Sequence, residues 1–552
     1  MEDKQKVLQV HPSDNVLVAL KDLDKNEILI FNGNSYFLLD SIPAKHKFTI
    51  LNIPKDGSII MYGVLVGKAT IDLPAGTKIT TENTRHASDD FKLGERKTNW
   101  QIPDTEKWKN KKFLGYHRKD GSVGTANYWL VIPLVFCENR NIEVMKEALL
   151  DELGYARPKR YHQFTKNLAG LYKTDKGIGK IEEEIFQEQN TPNESKPLFN
   201  NVDGIKFLTH EGGCGGTRSD AEALCGLLAG YIVHPNCAGA TVLSLGCQHA
   251  QSAMLQKEIH KRNSNYDRPL YILEQQIAGT ESNLIEVAIK QTFLGLVKAN
   301  EQKREPAPIN KLVIGLECGG SDGFSGISAN PAIGHTSDLI VAMGGSVILS
   351  EFPELCGVEQ EMSDRCVKEE TANKFMQLMQ VYNKRAEESG SGFYMNPSPG
   401  NIKDGLITDA IKSAGAAKKA GNSPVVDVLD YPEKLVTQGL NLLCTPGNDV
   451  ESTTAEVASG ANIVLFTTGL GTPTGNPIVP VVKIASNTAL FNKMSDIIDI
   501  NTGTIIEGLE TIEEAGERIL DYVIELASGD KTVHAMRHRQ DDFIPWKRGV
   551  SL

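Results

Sequence analysis

Long apolar runs are absent from this chain of 552 residues. No segment approaches the roughly 20 consecutive apolar positions that a membrane helix needs, and residues 339–350 form too short a run to span. Residues 1–17 are polar and charged from the start, without the apolar core of a signal peptide, so a soluble cytoplasmic protein is expected. Basic clusters are missing as well. The 58 Lys and Arg stand against 70 Asp and Glu, a net charge of −12, and the cations are scattered, so neither nucleic acid nor a membrane surface is an expected partner. Nine cysteines is an odd number, and they show neither CxxC spacing nor the close spacing of a disulfide framework, so reduced thiols are expected. No strand end carries GxGxxG or GxxxxGK[ST], which removes direct support for a dinucleotide site or a P-loop. Residues 319–323, GGSDG, have the GxSxG form, but no apolar helix follows at once, and Ser-His-Asp hydrolysis gains little from them.

What the chain does have is room and alternation. A length of this order predicts about three or four domains, each able to bury a core. Residues 5–87 read as short strands at 7–10, 16–20, 27–31, 35–39, 47–52, 58–66 and 68–73, divided by turns such as Asn32-Gly33-Asn34 and Lys55-Asp56-Gly57. They predict a small all-β module whose notable polar residues are His46, Lys47 and an exit segment running from Thr80 through Glu82 to His86. Residues 86–112 read as a linker laid over a neighbouring surface. Beyond it, strands and helices alternate in two rounds separated by a charged, proline-bearing stretch at 301–308, which is the α/β signature. The predicted domains are 1–90, the linker 91–112, 113–305 and 306–552, with residues 157–197 a polar insertion containing helical parts.

The strand ends carry the chemistry. Residues 311–326, KLVIGLECGGSDGFSG, run from an apolar, β-branched segment into a loop with a thiol, a carboxylate and hydroxyls. Open α/β sheets bind ligands at the carboxyl ends of their strands, so Cys318, Ser321 and Asp322 are candidates. Four apolar runs end on or near a cysteine: 130–136 before Cys137, 205–209 before Cys214, 241–246 before Cys247, and 312–316 before Cys318. Side by side in parallel sheets, they would bring four thiols towards one edge. Residues 210–220, HEGGCGGTRSD, precede an apolar helical stretch and predict a helix N-terminus suited to a carboxylate or phosphate ligand. Glu351 and Glu354 follow another strand end.

Several stretches together resemble the altronate and galactarate dehydratases: VLQVHPSDNVLVAL, LECGGSDGFSGISANPAIG, SEFPELCGVEQ, NPSPGN, LLCTPGNDV and the tail KRGVSL. The resemblance spans nearly the whole chain. It implies an α/β protein with a small N-terminal all-β SAF-like domain followed by two Rossmann-like α/β domains. It also implies iron(II)-dependent dehydration of a sugar acid, giving 2-dehydro-3-deoxy-D-gluconate from D-altronate. On that footing Cys137, Cys214, Cys247, Cys318 and Glu82 are expected to hold Fe2+, with Mn2+ and an iron–sulfur cluster as the alternatives. His46, His210 and Glu351 are the expected acid and base groups. Lys47, Arg218, Ser321 and Asp322 are the expected substrate contacts. The partner is a small sugar acid, and an assembly of identical chains is expected.

The chain departs from the family pattern at Thr80 and Glu82, where His-x-His-Asn is usual, and at Ala126, where a basic residue is common. It also has Gln248 for Glu, Leu470 for Arg and Thr474 for Tyr. Three rivals stay open: a lyase for galactarate or another hydroxy acid, a sugar-acid-binding relative without turnover, and a nicotinamide-dependent dehydrogenase resting on fold alternation alone.

Overall fold

The structure is a computed structural model that describes residues 6–88, 91–156, 161–174, 178–186 and 196–551. Short strands joined by tight turns build the N-terminal module. Val16–Ala19 pairs antiparallel with Val7–Leu8 on one side and Lys47–Thr49 on the other. Ile28–Phe31 and Asn34–Phe37 form a hairpin in which Leu29 and Phe31 face inward while Ile28 and Ile30 are exposed. The run expected as one strand at 58–66 is two, Ser58–Met61 and Val64–Ala69, because Tyr62 and Gly63 both take positive φ, 58° and 79°, and close a hairpin. A two-residue turn of this kind matches the twist of the flanking strands.

Beyond the module, Lys112–His117 lies between Val123–Gly124 and Glu305–Pro308 in a small antiparallel sheet. A four-stranded parallel sheet follows, ordered Gly204–Phe207, Tyr128–Pro133, Cys237–Ser244, Leu270–Glu274. Of the insertion, His162–Lys173 and Ile178–Glu183 are helical, while 157–160, 175–177 and 187–195 lie outside the described residues. The C-terminal region holds a seven-stranded, wholly parallel sheet, and Val313–Cys318 is its central strand. Val425–Leu429, Leu440–Leu443 and Ser346–Leu349 lie on one side of it; Ile463–Thr468, Val481–Ala485 and Ile500–Asn501 lie on the other. Helices such as Ala329–Ala342, Asp449–Ser459 and Ile512–Ser528 cover its faces, which is why these strands are apolar without alternation. Among the described residues no helix is long and apolar enough to cross a membrane.

The module shares its inner core with the C-terminal region. Ile59, Met61, Tyr62 and Val66 belong to the same apolar cluster as Ile314, Leu316, Phe324 and Leu406. Burying one such side chain is worth about 1.5–3 kcal/mol, so the seam is held chiefly by apolar burial. Backbone contact there is close. A Cβ on Gly323 would lie 2.4 Å from the Lys45 carbonyl oxygen and 3.0 Å from that of Asp404. Gly323→Ala should therefore force the module off the loop and cost about 1–3 kcal/mol, the usual range for overpacking. An unchanged urea midpoint for this variant would contradict the seam.

Candidate active site

The central strand fixes the site. In sequence the chain makes Val313–Cys318, winds to one side through Ser346–Leu349, and then crosses back to lay Ile463–Thr468 on the opposite flank. The strand order thus reverses at Val313–Cys318, and the carboxyl ends on either side of such a reversal leave a crevice for ligand. Three loops meet there, after Cys318, Leu349 and Thr468.

The strand runs further than its apolar pattern suggested, through Glu317 and Cys318, so both side chains enter the interior instead of a surface loop. The thiol of Cys318 donates to Glu354 Oε2 at 3.0 Å and accepts from Lys419 Nζ at 3.0 Å. Lys419 also donates to Glu351 Oε2 at 3.2 Å, and Lys412 Nζ lies 2.6 Å from Glu354 Oε1. Ser350 Oγ donates to Glu317 Oε1 at 2.8 Å, and Glu456 Oε1 accepts from the Leu316 amide at 3.0 Å. Glu317, Glu351, Glu456 and Lys419 are each at most 1% exposed. Glu351 sits at φ 62°, ψ 64°, a left-handed conformation rare outside glycine. Its amide donates to Thr445 Oγ1 at 2.8 Å, and the Phe352 amide donates to the Thr445 carbonyl. Residues held this way cost on the order of 1–3 kcal/mol and gather at functional sites.

Burial sets the protonation here. It pushes Glu351 up to about 7, helped by the charge of Glu354 and opposed by Lys419. Burial likewise raises Glu456 to about 8 and lifts Glu317 well above the carboxylate range, the latter aided by Glu351. Glu354 goes the other way: burial opposes its charge, but Lys412 and Lys419 outweigh it and hold the group ionised. Lys419 stays charged because Cys318, Glu351 and Glu354 overcome its desolvation. Glu317 Oε2, Glu351 Oε1 and Glu456 Oε2 are buried without a hydrogen-bond partner, and an unpartnered buried oxygen makes the charged form costly, which is why all three groups are raised. The site sets three carboxyls of raised pKa and one ionised carboxylate, Glu354, around the ammonium groups of Lys419 and Lys412.

Asp322 does a different job. Its Oδ1 accepts from the amides of Phe324 and Ser325 and from the hydroxyls of Ser325 and Ser486. Its Oδ2 meets Asn487 Nδ2 and Lys45 Nζ, both at 3.1 Å, and Lys45 continues to Asp404 at 2.9 Å. Asp322 is thereby fully engaged in tying the module to the strand-end loop. Ser321 lies beside it, its carbonyl accepting from Asn401 Nδ2 at 2.7 Å. Lys47 is completely buried and donates to the Gly405 carbonyl at 2.7 Å, and desolvation lowers it to about 7. His46 Nε2 donates to the Lys403 carbonyl at 3.0 Å, which leaves Nδ1 as an acceptor, buried and without a partner.

The other expected residues lie elsewhere. Cys137, Cys214 and Cys247 follow three neighbouring strands of the four-stranded sheet, and all three are exposed. Cys318 belongs to the other sheet and is buried, so the four thiols do not share one edge. Similar local sequence had placed them together, but parallel pairing joins strands by topology and not by the residue at their ends. Among the described residues, two groups of three bring their ligand atoms within 4.8 Å of one another: Cys318, Glu351, Glu354, and His86, Cys356, Asp409. Glu82 is exposed and belongs to neither.

His210 lies with the four-stranded sheet. Its Nε2 donates to the Pro133 carbonyl at 2.7 Å and its Nδ1 accepts from the Gly212 amide, while burial lowers it to about 4. It lines a cavity of about 680 Å³ together with Cys214, Thr217 and the tail residues Phe543 and Trp546. Arg218 begins the adjacent helix and is exposed. The anion position expected at that helix start is filled from within. Thr217 and Asp220 form a capping box, and Asp220 also accepts from the amides of Arg548 and Gly549. Lys419, Lys412 and Glu456 were not anticipated. Their only signal is weak, a charged residue placed within an alanine-rich or apolar helical stretch.

Fold and site together define an α/β enzyme with buried carboxyls and ammonium groups at its strand-end crevice and a β module packed beside it. Three family descriptions match in succession: "Altronate/galactarate dehydratase SAF domain" over residues 5–87, "D-galactarate dehydratase/Altronate hydrolase, second domain" over 115–300, and "D-galactarate/Altronate dehydratase, C-terminal" over 309–551. The chain is 34% identical to altronate dehydratase of Bacillus subtilis (strain 168) and 32% identical to that of Escherichia coli (strain K12), with 99% of each chain covered in both cases. Galactarate dehydratase (L-threo-forming) of Escherichia coli (strain K12) is 31% identical over 95% of this chain and 93% of its own. The chain belongs to the galactarate/altronate dehydratase family of sugar-acid hydro-lyases.

Proposed function

We propose that the protein removes water from D-altronate to give 2-dehydro-3-deoxy-D-gluconate, a step of hexuronate breakdown, and that it works in the cytoplasm as an assembly of identical chains. Identity over the full length of two altronate dehydratases supports the substrate, and nine unpaired cysteines support a reducing compartment. The observation that carries the chemistry is Glu351, a buried carboxyl raised to about 7 beside the Lys419 ammonium at the switch point.

Dehydrating a 2,3-dihydroxy acid takes a proton from C2 and lets hydroxide leave C3, after which the enol becomes the 2-keto-3-deoxy acid. A base for C2 works best with a pKa near the operating pH. Glu351 meets that requirement, and Lys419 balances its negative charge. Glu456, raised to about 8, and Glu317, lifted well above the usual carboxylate range, are the reserve from which a proton reaches the leaving oxygen. Asp322 and Lys45 hold the module against the loop and keep water out of the crevice.

The resemblance implies Fe2+, which would supply Lewis-acid help to the departing hydroxide. Cys318, Glu351 and Glu354 do not fit it. Lys419 already donates to the first two and Lys412 pairs with the third, so ammonium groups fill the cation position.

The test is an anaerobic assay of the iron(II)-loaded protein on D-altronate beside galactarate and other aldonates, with 2-keto-3-deoxy acid detected colorimetrically. Product from D-altronate is the expected result. Product from another acid alone would move the substrate, and tight binding without product from any acid would overturn the enzymatic reading.

A further inference from the structure

The second group of ligand atoms lies on the seam between the module and the C-terminal region. His86 follows Thr84–Arg85, the strand that pairs with Val64–Ala69 as the chain leaves the module. Cys356 ends the short turn Phe352–Leu355, and Gly357 at φ 93° brings it over the start of helix Asp409–Ala417, where Ala410 lies 3.1 Å from the position of a Cβ. Asp409 is the first residue of that helix. Thr408, the residue before it, donates its hydroxyl to the Val66 carbonyl at 2.9 Å and locks the helix to the module.

Nδ1 of His86, Sγ of Cys356 and a carboxylate oxygen of Asp409 lie within 4.8 Å of one another. His86 Nδ1 contacts Asp409 Oδ1 as an ion pair. Asp409 is only 2% exposed, and neither of its oxygens makes a well-aligned hydrogen bond; what they meet is the His86 imidazole and the Cys356 thiol. A buried carboxylate normally has its lone pairs satisfied. Here its neighbours are an imidazole and a thiol, both groups that ligate transition-metal ions. Glu359 stands behind them, its carboxylate accepting from the Gly357 amide at 2.7 Å. Burial, with the charges of Glu359 and Asp409, raises the Cys356 thiol well above its ordinary range. It therefore keeps its proton until a cation takes that proton's place.

We propose that His86, Cys356 and Asp409 form a binding site for one divalent transition-metal ion of the Zn2+, Co2+ and Fe2+ type, which pins the exit of the β module to the catalytic region. One nitrogen, one sulfur and one oxygen ligand suit such ions, whereas Mg2+ and Ca2+ prefer oxygen alone. A neutral imidazole, a thiolate and a carboxylate carry two negative charges, which match the ion. Binding releases the Cys356 proton to solvent as the sulfur–metal bond forms. His86 and Cys356 are partly exposed, so water completes the coordination and the ion has a way in. Helix Asp409–Ala417 also carries Lys412, and Cys356 is two residues beyond Glu354, so the clamp supports the strand-end cluster from behind. The site stands independently of which acid the protein dehydrates.

The experiment is anaerobic titration of the metal-free, full-length protein with Co2+. One equivalent per chain should give a near-ultraviolet band from thiolate-to-cobalt charge transfer, together with release of a proton. Cys356→Ser should abolish the band. Asp409→Asn should weaken binding more than about 100-fold, since even the outer partners of metal ligands cost about 10–100-fold. A variant with Cys137, Cys214 and Cys247 all changed to Ser should keep the band. No band in the unaltered protein, or a band lost in the triple variant and kept in Cys356→Ser, would overturn the proposal. X-ray absorption of the Zn2+-loaded protein must show a single sulfur ligand, so a misfolded variant does not decide the matter alone.

Discussion

Lys419→Met is expected to lower turnover by about 100-fold or more, in the range of a lost acid–base group, and to destabilise the chain by about 3–5 kcal/mol, the usual cost of breaking a buried ion pair from one side. Both effects have one source. Lys419 is 1% exposed and is the ammonium shared by Cys318 and Glu351. Without it Glu351 loses the ammonium bonded to it, is raised further, and is less often ionised to take a proton from C2. A double variant separates the two consequences. Adding Glu351→Gln removes the carboxyl left unbalanced, so part of the lost stability should return through the coupling between neighbours, while activity should not. Urea unfolding and the keto-acid assay on all three proteins measure this. Wild-type stability in Lys419→Met would mean that the ion pair does not form as described.

The pH dependences of activity and of stability should have opposite signs. Burial raises Glu351 from 4.5 to about 7 and Glu456 from 4.5 to about 8. Between the ordinary value and the raised one, the folded chain keeps a proton that the unfolded chain has released. Stability is therefore fullest below about 4.5 for these groups and is lost as pH rises through about 7 and then 8. Turnover needs the ionised base, so kcat/KM should climb as pH rises towards about 7 and then level off. Glu351→Gln should cut kcat by about 100- to 10,000-fold and flatten the stability slope between about 4.5 and 7. Glu456→Gln should flatten the stability curve up to about 8 and, by removing one of the two proton-reserve groups, also lower kcat, though less than Glu351→Gln does. A pH–rate profile without an inflection near 7 would remove Glu351 as the base.

Much of the local structure could be read from residue patterns. The helices Glu281–Ala299 and Ile512–Ser528 start where Thr280 and Thr511 cap them with side-chain oxygens. The strand Ile463–Thr468 is a continuous β-branched and apolar run, buried throughout. Reading failed where signals were mixed. Helix Glu369–Glu388 is mostly polar, with Thr371, Ala372, Phe375 and Met379 as its buried face, so its apolar stripe is short. Glu317 and Cys318 read as loop because they end the apolar run, although the ladder to Ile463–Thr468 continues through both.

The sequence by itself determined the class of the protein. Tight turns, apolar strands and capped helices are short-range consequences of residue type, and the motifs 316–334 and 350–360 carry the family with them. Tertiary structure alone decided which groups work together. Val313–Cys318 became the central strand and Cys318 parted from the other three thiols. Lys419 reached Cys318 across 101 residues of chain. Asp409 met His86 from another domain. Those pairings follow from how buried strands order themselves in a sheet and from where desolvation forces charges to find partners, and neither is encoded within a stretch of neighbouring residues.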